Sequence, residues 1–383
     1  MARFLWHRAR FVGASALALA VLSGFPGSAS AVGLGPMVNR ETTITIVSAM
    51  TSVSCWSSSE CVAVGWYAQS RSSGTVTITT SSSPGLGLVY RTTDGGTSWK
   101  RVNLHVAVGE LTSVSCPSAS LCVAVDLEAK GGPFSRAVIS KDAGRHWTVT
   151  KITIPGVYFA ATAIDCPSSS ICFTGSGGDR GLAKSTDGGR TWKLIAKFAN
   201  VNQIACPTVN VCEVATFDGL MLRTTNGGAS WTSQFPLPTR KVAYWGVSCP
   251  TASTCGVVTS HGSFLRTTDG GKKWTQHFIA LRVNTLKIAQ LTIVACTSGS
   301  TCEVGGFAGE GDWAVFETTN GGAIWTLDKI PTMVSGLLGM ECSADGACEM
   351  AGEGSVNSPS HTAIFKTDDG VDWTSQPVSY PGQ

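Results

Sequence analysis

Charged residues, histidine and tyrosine are all scarce in this chain of 383 residues, and their scarcity excludes several classes of function. Asp, Glu, Lys and Arg make up only 14% of the sequence, with 28 basic and 25 acidic residues. Residues 1–31 hold three arginines and no acid, so the remainder carries 25 charges of each sign and no formal net charge. A chain without excess positive charge is not expected to bind nucleic acid or an anionic membrane.

The sequence also lacks an apolar run long enough to favour a membrane-spanning helix. The run at residues 11–22 is shorter than the about 20 residues that such a helix needs. Arg3, Arg8 and Arg10 precede this run, and small residues at 29–31 follow it. This pattern predicts a secretory signal peptide over residues 1–31, a secreted or extracytoplasmic mature chain from Val32, and no transmembrane segment in it. An uncleaved N-terminal anchor is the alternative.

Common catalytic and metal-binding patterns are missing as well. Neither a G-x-S-x-G elbow nor an H-E-x-x-H helix occurs. Residues 309–314 loosely match a dinucleotide fingerprint, but no helix is predicted after them. Only five histidines follow residue 31, and the cysteines lack the C-x2–4-C spacing of zinc sites. We therefore expect no metal and no cofactor.

The fourteen cysteines form seven C-x5-C pairs, and none is left over. In an exported chain, the complete pairing of the cysteines favours disulfides over free thiols. Two cysteines that flank five residues can face each other across a β-hairpin, so we expect seven local bridges. The pairs are Cys55/Cys61, Cys116/Cys122, Cys166/Cys172, Cys206/Cys212, Cys249/Cys255, Cys296/Cys302 and Cys342/Cys348.

A second signature, Ser/Thr-x-Asp/Asn-x-Gly-x-x-Trp, alternates strictly with the cysteine pairs. It starts at Thr92, Ser140, Ser185, Thr224, Thr267, Thr318 and Thr367, and the seventh copy is one residue short. We assign its acidic or amide position to Asp94, Asp142, Asp187, Asn226, Asp269, Asn320 and Asp368. The hydroxyl and carboxylate of such a turn can accept hydrogen bonds from its backbone, and the glycine permits a positive φ.

Each unit contains four short stretches of strand-forming residues. In the second unit they fall at residues 111–116, 121–126, 136–140 and 147–152. Seven four-stranded units predict an all-β fold, a seven-bladed β-propeller of antiparallel blades with one local C-x5-C disulfide per blade. We expect an N-terminal segment over 32–48, in which residues 42–47 form an extra edge strand or a tether. The propeller is expected over 49–383, as a monomer.

The second signature resembles the Asp box, also called the bacterial neuraminidase repeat. Seven copies in one exported domain are similar to the propellers of photosystem II stability and assembly factors and their non-photosynthetic relatives. The resemblance covers residues 50–378 and implies the propeller fold. It implies no activity, because Asp boxes are structural in the families that carry them, and the cysteine pairs are not part of the box.

Sialidases share the Asp box, but their F/Y-R-I-P motif is missing here. Arg91, Arg223 and Arg266 all precede a box, which favours a blade feature over a shared catalytic site. Xyloglucan-cleaving enzymes also resemble the pattern, but typically place a cleft between two propellers. A hydrolase would need two carboxyl groups, and Glu310/Asp312 or Glu349/Glu353 are the candidates. We expect no enzymatic activity, with a glycoside hydrolase as the alternative.

The variable segments connect strands two and three of a blade, or link one blade to the next. In a propeller these segments share the face opposite the cysteine hairpins and boxes, and binding residues concentrate on such loops. A long Ser/Thr-rich loop is expected at residues 67–87. The candidate ligand-binding residues are Tyr158, Tyr244, Trp245, Asp179, Arg180, His261, Glu310, Asp312, Trp313 and His361. Two hypotheses follow: a scaffold that binds a protein partner, or a carbohydrate-binding protein or hydrolase.

Overall fold

The computed structural model describes residues 42–73, 86–106, 108–127, 134–178, 180–197, 200–237, 242–279, 289–309, 312–331, 334–343, 346–354, 362–376 and 378. These residues form seven four-stranded sheets, each made of four consecutive strands in the order one, two, three, four. Neighbouring strands are antiparallel throughout. The prediction of a seven-bladed propeller with four-stranded antiparallel blades is confirmed.

Blades one to seven take their strands in chain order. The bounds are β1 (Thr42–Cys55), β2 (Cys61–Ser73), β3 (Leu86–Thr92), β4 (Lys100–Arg101), β5 (Glu110–Ser118), β6 (Leu121–Leu127), β7 (Arg136–Ser140), β8 (Thr148–Lys151), β9 (Ala161–Asp165), β10 (Cys172–Ser176), β11 (Leu182–Ser185), β12 (Lys193–Ala196), β13 (Val201–Ala205), β14 (Cys212–Thr216), β15 (Met221–Thr224), β16 (Thr232–Gln234), β17 (Tyr244–Ser248), β18 (Cys255–Thr259), β19 (Ser263–Thr267), β20 (Thr275–Phe278), β21 (Gln290–Cys296), β22 (Cys302–Gly309), β23 (Asp312–Thr318), β24 (Thr326–Leu327), β25 (Val334–Cys342), β26 (Cys348–Gly354), β27 (Thr362–Thr367) and β28 (Thr374–Gln376).

Blade one differs from its prediction at its N-terminal end. Residues 42–47 are neither a separate edge strand nor a tether, because they continue β1 and pair with β2, from Thr42 opposite Ser73 to Val47 opposite Ala68. Strand β2 therefore occupies residues 67–73 of the expected loop, and residues 74–85 lie outside the described part. The alternating Thr and Ile of 42–47 favours this extended pairing.

The first strand of every blade is innermost, since β1, β5, β9, β13, β17, β21 and β25 contact one another in turn and β25 contacts β1. Each innermost strand bulges at one equivalent residue. These residues are Thr51, Thr112, Thr162, Asn202, Trp245, Thr292 and Leu338. A bulge bends a strand and turns its side chain out of the ladder, which here allows contact with the next blade.

Hydrogen bonds from the bulges tie neighbouring blades together. Thr51 Oγ1 donates to the carbonyl of Leu111 at 2.7 Å, and Thr162 Oγ1 donates to that of Val201 at 2.8 Å. Asn202 Nδ2 reaches the carbonyl of Tyr244 in the same way at 2.8 Å. The first strands are therefore joined blade to blade by side chains.

The apolar core is divided into clusters that lie between adjacent blades. The cluster between blades one and two joins Val62, Val64 and Val89 to Leu111 and Trp147. The cluster that closes the ring joins Met50, Tyr90 and Trp99 of blade one to Ala351 and Ile364 of blade seven. Because each blade buries its apolar face only against its neighbours, the fold depends on ring closure.

The seven predicted disulfides are all present, with Cα–Cα distances of 4.0 to 4.1 Å. No cysteine is free. Such a set of bridges is typical of extracytoplasmic proteins. Among the described residues, no helix has the length and apolar character needed to cross a membrane.

The second cysteine of every pair is part of the core as well as part of a bridge. Each has at most 4% of its surface exposed, and they are Cys61, Cys122, Cys172, Cys212, Cys255, Cys302 and Cys348. Cys122, for example, lies in the cluster between blades one and two, together with Val114 and Val138. These cysteines are therefore structural and cannot meet a ligand.

Candidate functional site

The two ends of the blades carry different kinds of connection. In a sheet of four consecutive antiparallel strands, the turns between strands one and two and between strands three and four lie at one end. This end holds the cysteine hairpins and the Ser/Thr-x-Asp/Asn turns, which we call the box face. The connections between strands two and three and between blades lie at the other end, which we call the variable face.

On the box face, each turn between strands three and four is closed by its own side chains. Ser140 Oγ accepts a hydrogen bond from Gly144 N at 2.9 Å, and Asp142 Oδ1 accepts one from His146 N at 2.9 Å. Gly144 has a φ of 74°, as the position requires. The same bond, which the N–H of the fifth residue donates to the hydroxyl oxygen of the first, recurs at Thr92, Ser185, Thr224, Thr267 and Thr318.

In the shortened turn of blade seven, the acid that closes the turn is not the one predicted from the sequence. Asp369, not Asp368, accepts hydrogen bonds from Thr367 Oγ1, Val371 N and Asp372 N, at 2.9, 2.9 and 3.0 Å. These bonds hold the pKa of Asp369 at about 2. Asp368 instead pairs with Lys366 at 2.7 Å. The position two residues after the hydroxyl is the one that can reach the backbone of the turn.

In four blades, a basic residue just before the turn between strands three and four donates a hydrogen bond to a backbone carbonyl of the following blade. Arg91 Nε donates to the carbonyl of Ala143 at 2.6 Å, and Lys184 Nζ donates to that of Gly227 at 2.7 Å. Arg223 and Arg266 reach the carbonyls of Ala252 and Gly299 at 2.5 and 2.7 Å. We call these four the clasp residues. Their contacts agree with a blade feature rather than one arginine cluster.

Inside the ring, side chains that precede the first cysteine of a blade accept hydrogen bonds from the next blade. Cys206 N donates to Asp165 Oδ2 at 2.6 Å, and Cys55 N donates to Glu341 Oε2 at 3.0 Å across the ring closure. Both carboxyl groups retain some solvent contact, but the innermost strands enclose them. Burial raises the pKa of Asp165 to about 6, and burial together with the charge of Asp165 raises that of Glu341 to about 7.

On the variable face, two aromatic contacts span blades three to five. Arg180 lies over the ring of Tyr158, with 5.7 Å from Cζ to the ring centroid. Phe217 meets Trp245 edge to face at 5.4 Å. Tyr158 is 43% exposed and Phe217 is 50% exposed, so both rings are accessible from solvent. We call Tyr158, Arg180, Phe217 and Trp245 the aromatic arc.

Asn200 positions the Phe217 side of the arc. Its Oδ1 accepts a hydrogen bond from Gly178 N at 2.8 Å, and its carbonyl accepts one from Phe217 N at 2.9 Å. Its Nδ2 donates to Asp218 at 3.1 to 3.2 Å. One residue with a φ of 48° therefore joins the loops of blades three and four.

The remaining candidates are distributed differently from the prediction. Tyr244 is fully buried between blades four and five and cannot meet a ligand, because its register places its ring in the core. Trp245 is half-buried and packs against the next blade boundary. His261 is exposed and its Nδ1 lies 3.1 Å from Ser260 Oγ. Asp312 is exposed, and Trp313 is half-buried at 5.8 Å from the ring of Phe307.

Asp179, Glu310 and His361 lie outside the described residues. Phe217 and Asn200 are the residues that sequence reasoning missed. Phe217 begins a short turn after a buried strand, where a phenylalanine has no feature that distinguishes it from a core residue. The available signal was position: Asn200 lies in a link between two blades, and Phe217 lies in the connection between strands two and three of its blade.

The second proposed pair of hydrolase carboxylates does not meet. Glu349 and Glu353 are four residues apart on β26, which corresponds to about 13 Å along a strand. Glycosidases require about 5 to 10 Å. Glu349 is also buried beside blade one, and burial raises its pKa to about 8.

No protein-family model matches the sequence, and no curated protein is similar to it in sequence. Similar solved structures include YCF48 bound to D1 peptide, with a TM-score of 0.58 and 15% identity over 83% of this chain and 95% of that one. A GH74 xyloglucanase from Xanthomonas campestris has a TM-score of 0.63 and 10% identity over 87% of this chain and 55% of that one. The GH74 enzyme of Niastella koreensis has a TM-score of 0.60 and 15% identity over 85% and 54%.

These likenesses establish the fold. The chain spans nearly all of the YCF48 propeller but about half of either GH74 enzyme.

Proposed function

We propose that this chain is an exported, monomeric, non-catalytic propeller that binds a segment of a protein partner through its variable face. The aromatic arc carries the proposal. It combines exposed aromatic surface with a cationic group, on loops held by a rigid ring. Tyrosine, tryptophan and arginine are also the residues enriched at the energetic centres of protein interfaces.

The box face is a poorer candidate. Its hydroxyls, carboxylates and glycines are engaged within each turn, and its clasp residues are engaged with the next blade. A partner would therefore have to compete with bonds that hold the ring together. The likeness to YCF48, which was solved bound to D1 peptide, supports a peptide as the kind of partner.

Carbohydrate binding is the second candidate. It is favoured by the exposed ring of Tyr158, the half-buried ring of Trp313 and the likeness to GH74 enzymes. Against it, the aromatic pairs of the face meet edge to face, whereas sugars stack on open ring faces. We therefore place glycan binding, with or without hydrolysis, behind peptide binding.

Random-peptide display on the immobilised mature protein, beside a glycan array and hydrolysis assays, separates the two candidates. Peptides should be enriched, and Tyr158→Ser or Phe217→Ser should weaken their binding roughly tenfold or more. Val209→Ser and Ile324→Ser are matched controls, since these side chains are 38% and 68% exposed on the box face, and both variants should bind normally. Enrichment of glycans alone, or equal binding by all four variants, would reject the proposal.

A further inference from the structure

The boundary between blades six and seven departs from the charge pattern of the boundaries that follow blades one, three, four and five. Where the clasp residues stand in blades one, three, four and five, blade six has Glu317. Its direct partner across the strands is another acid, Glu303. At the equivalent pair in blade four, Glu213 faces Arg223 at 2.5 Å, so its charge is balanced.

A third carboxyl group completes this cluster. Asp328 follows β24, and it and Glu303 both lie against the shortened turn of blade seven, Asp328 beside Trp373 and Glu303 beside Gly370. Both side chains are 4% exposed. Glu303 Oε2 and Asp328 Oδ1 have no hydrogen-bond donor among the described residues. Each of the two side chains therefore keeps one buried oxygen acceptor without a proton donor.

Blade seven provides little positive charge to this cluster. Its shortened turn contributes Asp369, which repels Glu317 and Asp328, and Trp373, whose Nε1 donates to Asp328 Oδ2 at 3.4 Å. Lys329 is nearby in sequence, but it is 81% exposed and pairs with Asp372 at 3.1 Å. Burying several carboxylates without a counter-charge costs several kcal/mol per ion.

We propose that a calcium ion binds between blades six and seven, with Glu303 and Asp328 as ligands and Glu317 adding negative charge. The ion would replace the arginine or lysine that links other blades. In the described part of the chain, no three acidic, histidine or cysteine side chains surround one point closely enough to hold a metal alone. Water and backbone carbonyls therefore complete the shell, as in weak extracellular calcium sites with dissociation constants of about 0.1 to 1 mM.

Terbium, which replaces calcium at oxygen sites and is excited through a nearby indole, provides the test. Terbium added to the calcium-free mature protein should emit on tryptophan excitation, and excess calcium should remove the emission. Glu303→Gln and Asp328→Asn should each reduce the emission at least roughly fivefold at subsaturating metal. Glu213→Gln is the matched control, because it alters a buried glutamate that already has an arginine, and it should leave the emission unchanged.

Trp373→Phe should remove most of the emission while the calcium-dependent rise in Tm persists. That rise should be roughly 2 °C at a calcium concentration ten times Kd. The variants that remove buried acids relieve repulsion, so they should fold, and circular dichroism verifies this. Emission that survives Trp373→Phe would place the metal elsewhere and overturn the proposal. Equal Tm values in calcium and in chelator would show that a shared proton neutralises the pair instead, and would also overturn it.

Discussion

The number of partners that a clasp residue has depends on the residue that faces it on the neighbouring strand of its own blade. Arg223 has two partners, the buried Glu213 in its own blade and the carbonyl of Ala252 in the next. Arg266 has only the carbonyl of Gly299 among the described residues, because Gly256 stands across from it. These two arginines separate the contribution of the interblade bond from that of the buried ion pair.

We expect Arg223→Met to lower the free energy of unfolding by about 3 kcal/mol, since it leaves a buried carboxyl group without its partner. Arg266→Met should cost about 1 kcal/mol, the usual value of a hydrogen bond. Chemical denaturation of both variants gives the two numbers. The double variant Glu213→Gln/Arg223→Met should recover part of the loss. Equal losses in the two single variants, with no recovery in the double, would contradict this account.

At the scale of the element, the cysteine hairpins combine a local covalent link with the packing of the blade. Each bridge closes a short loop, and its Cα atoms are only 4.0 to 4.1 Å apart. Loop entropy limits the contribution of such a bridge to about 2 kcal/mol. Seven bridges therefore stabilise seven hairpins separately, while ring closure depends on the interblade cores.

Replacing Cys206 and Cys212 together by alanine should lower the free energy of unfolding by about 2 kcal/mol and leave the propeller closed. Denaturation and small-angle X-ray scattering measure the two effects. Non-reducing peptide mapping of the parent chain is the control. Expansion of the folded variant, or unfolding of the whole ring at moderate temperature, would show that the bridge does more than fix its hairpin.

The innermost strands predict a dependence of stability on pH. Asp165 and Glu341 have pKa values raised to about 6 and about 7 in the folded chain. A raised folded-state pKa contributes stability that is complete below the ordinary pKa and is lost as pH rises through the folded value. The unfolding free energy should therefore fall between about pH 4 and pH 7.

The double variant Asp165→Asn/Glu341→Gln keeps an oxygen acceptor at both positions but cannot ionise. Guanidinium denaturation at the two pH values should show a smaller fall than in the parent chain. The Glu213→Gln variant provides a comparison, since Glu213 also has a raised pKa but lies outside the ring of innermost strands. An unchanged slope in the double variant would show that these two groups do not set the dependence.

At the scale of the whole molecule, the repeat made the fold predictable because both signatures act locally. A C-x5-C hairpin and a Ser/Thr-x-Asp turn each form from neighbouring residues, and seven alternating copies permit a ring. In blade two the predicted strands agree with β5 to β8 within about two residues, a normal boundary error.

The site was less predictable because it depends on register and on contacts between blades. Tyr244 and Trp245 are adjacent, but the bulge at Trp245 leaves one ring in the core and turns the other towards Phe217. Glu303 and Asp328 look like unrelated acids in the sequence until blade six is packed against the shortened turn of blade seven. No local pattern contains this information.

The division between an architectural face and a binding face is the central claim, and hydrogen–deuterium exchange with a display-selected peptide tests it most directly. On binding, amides of the variable face should gain protection, at residues 156–160, 216–220 and 259–263. The box turns, such as residues 140–147 and 185–192, should exchange as in the free protein. Protection confined to the box turns or cysteine hairpins would contradict the account.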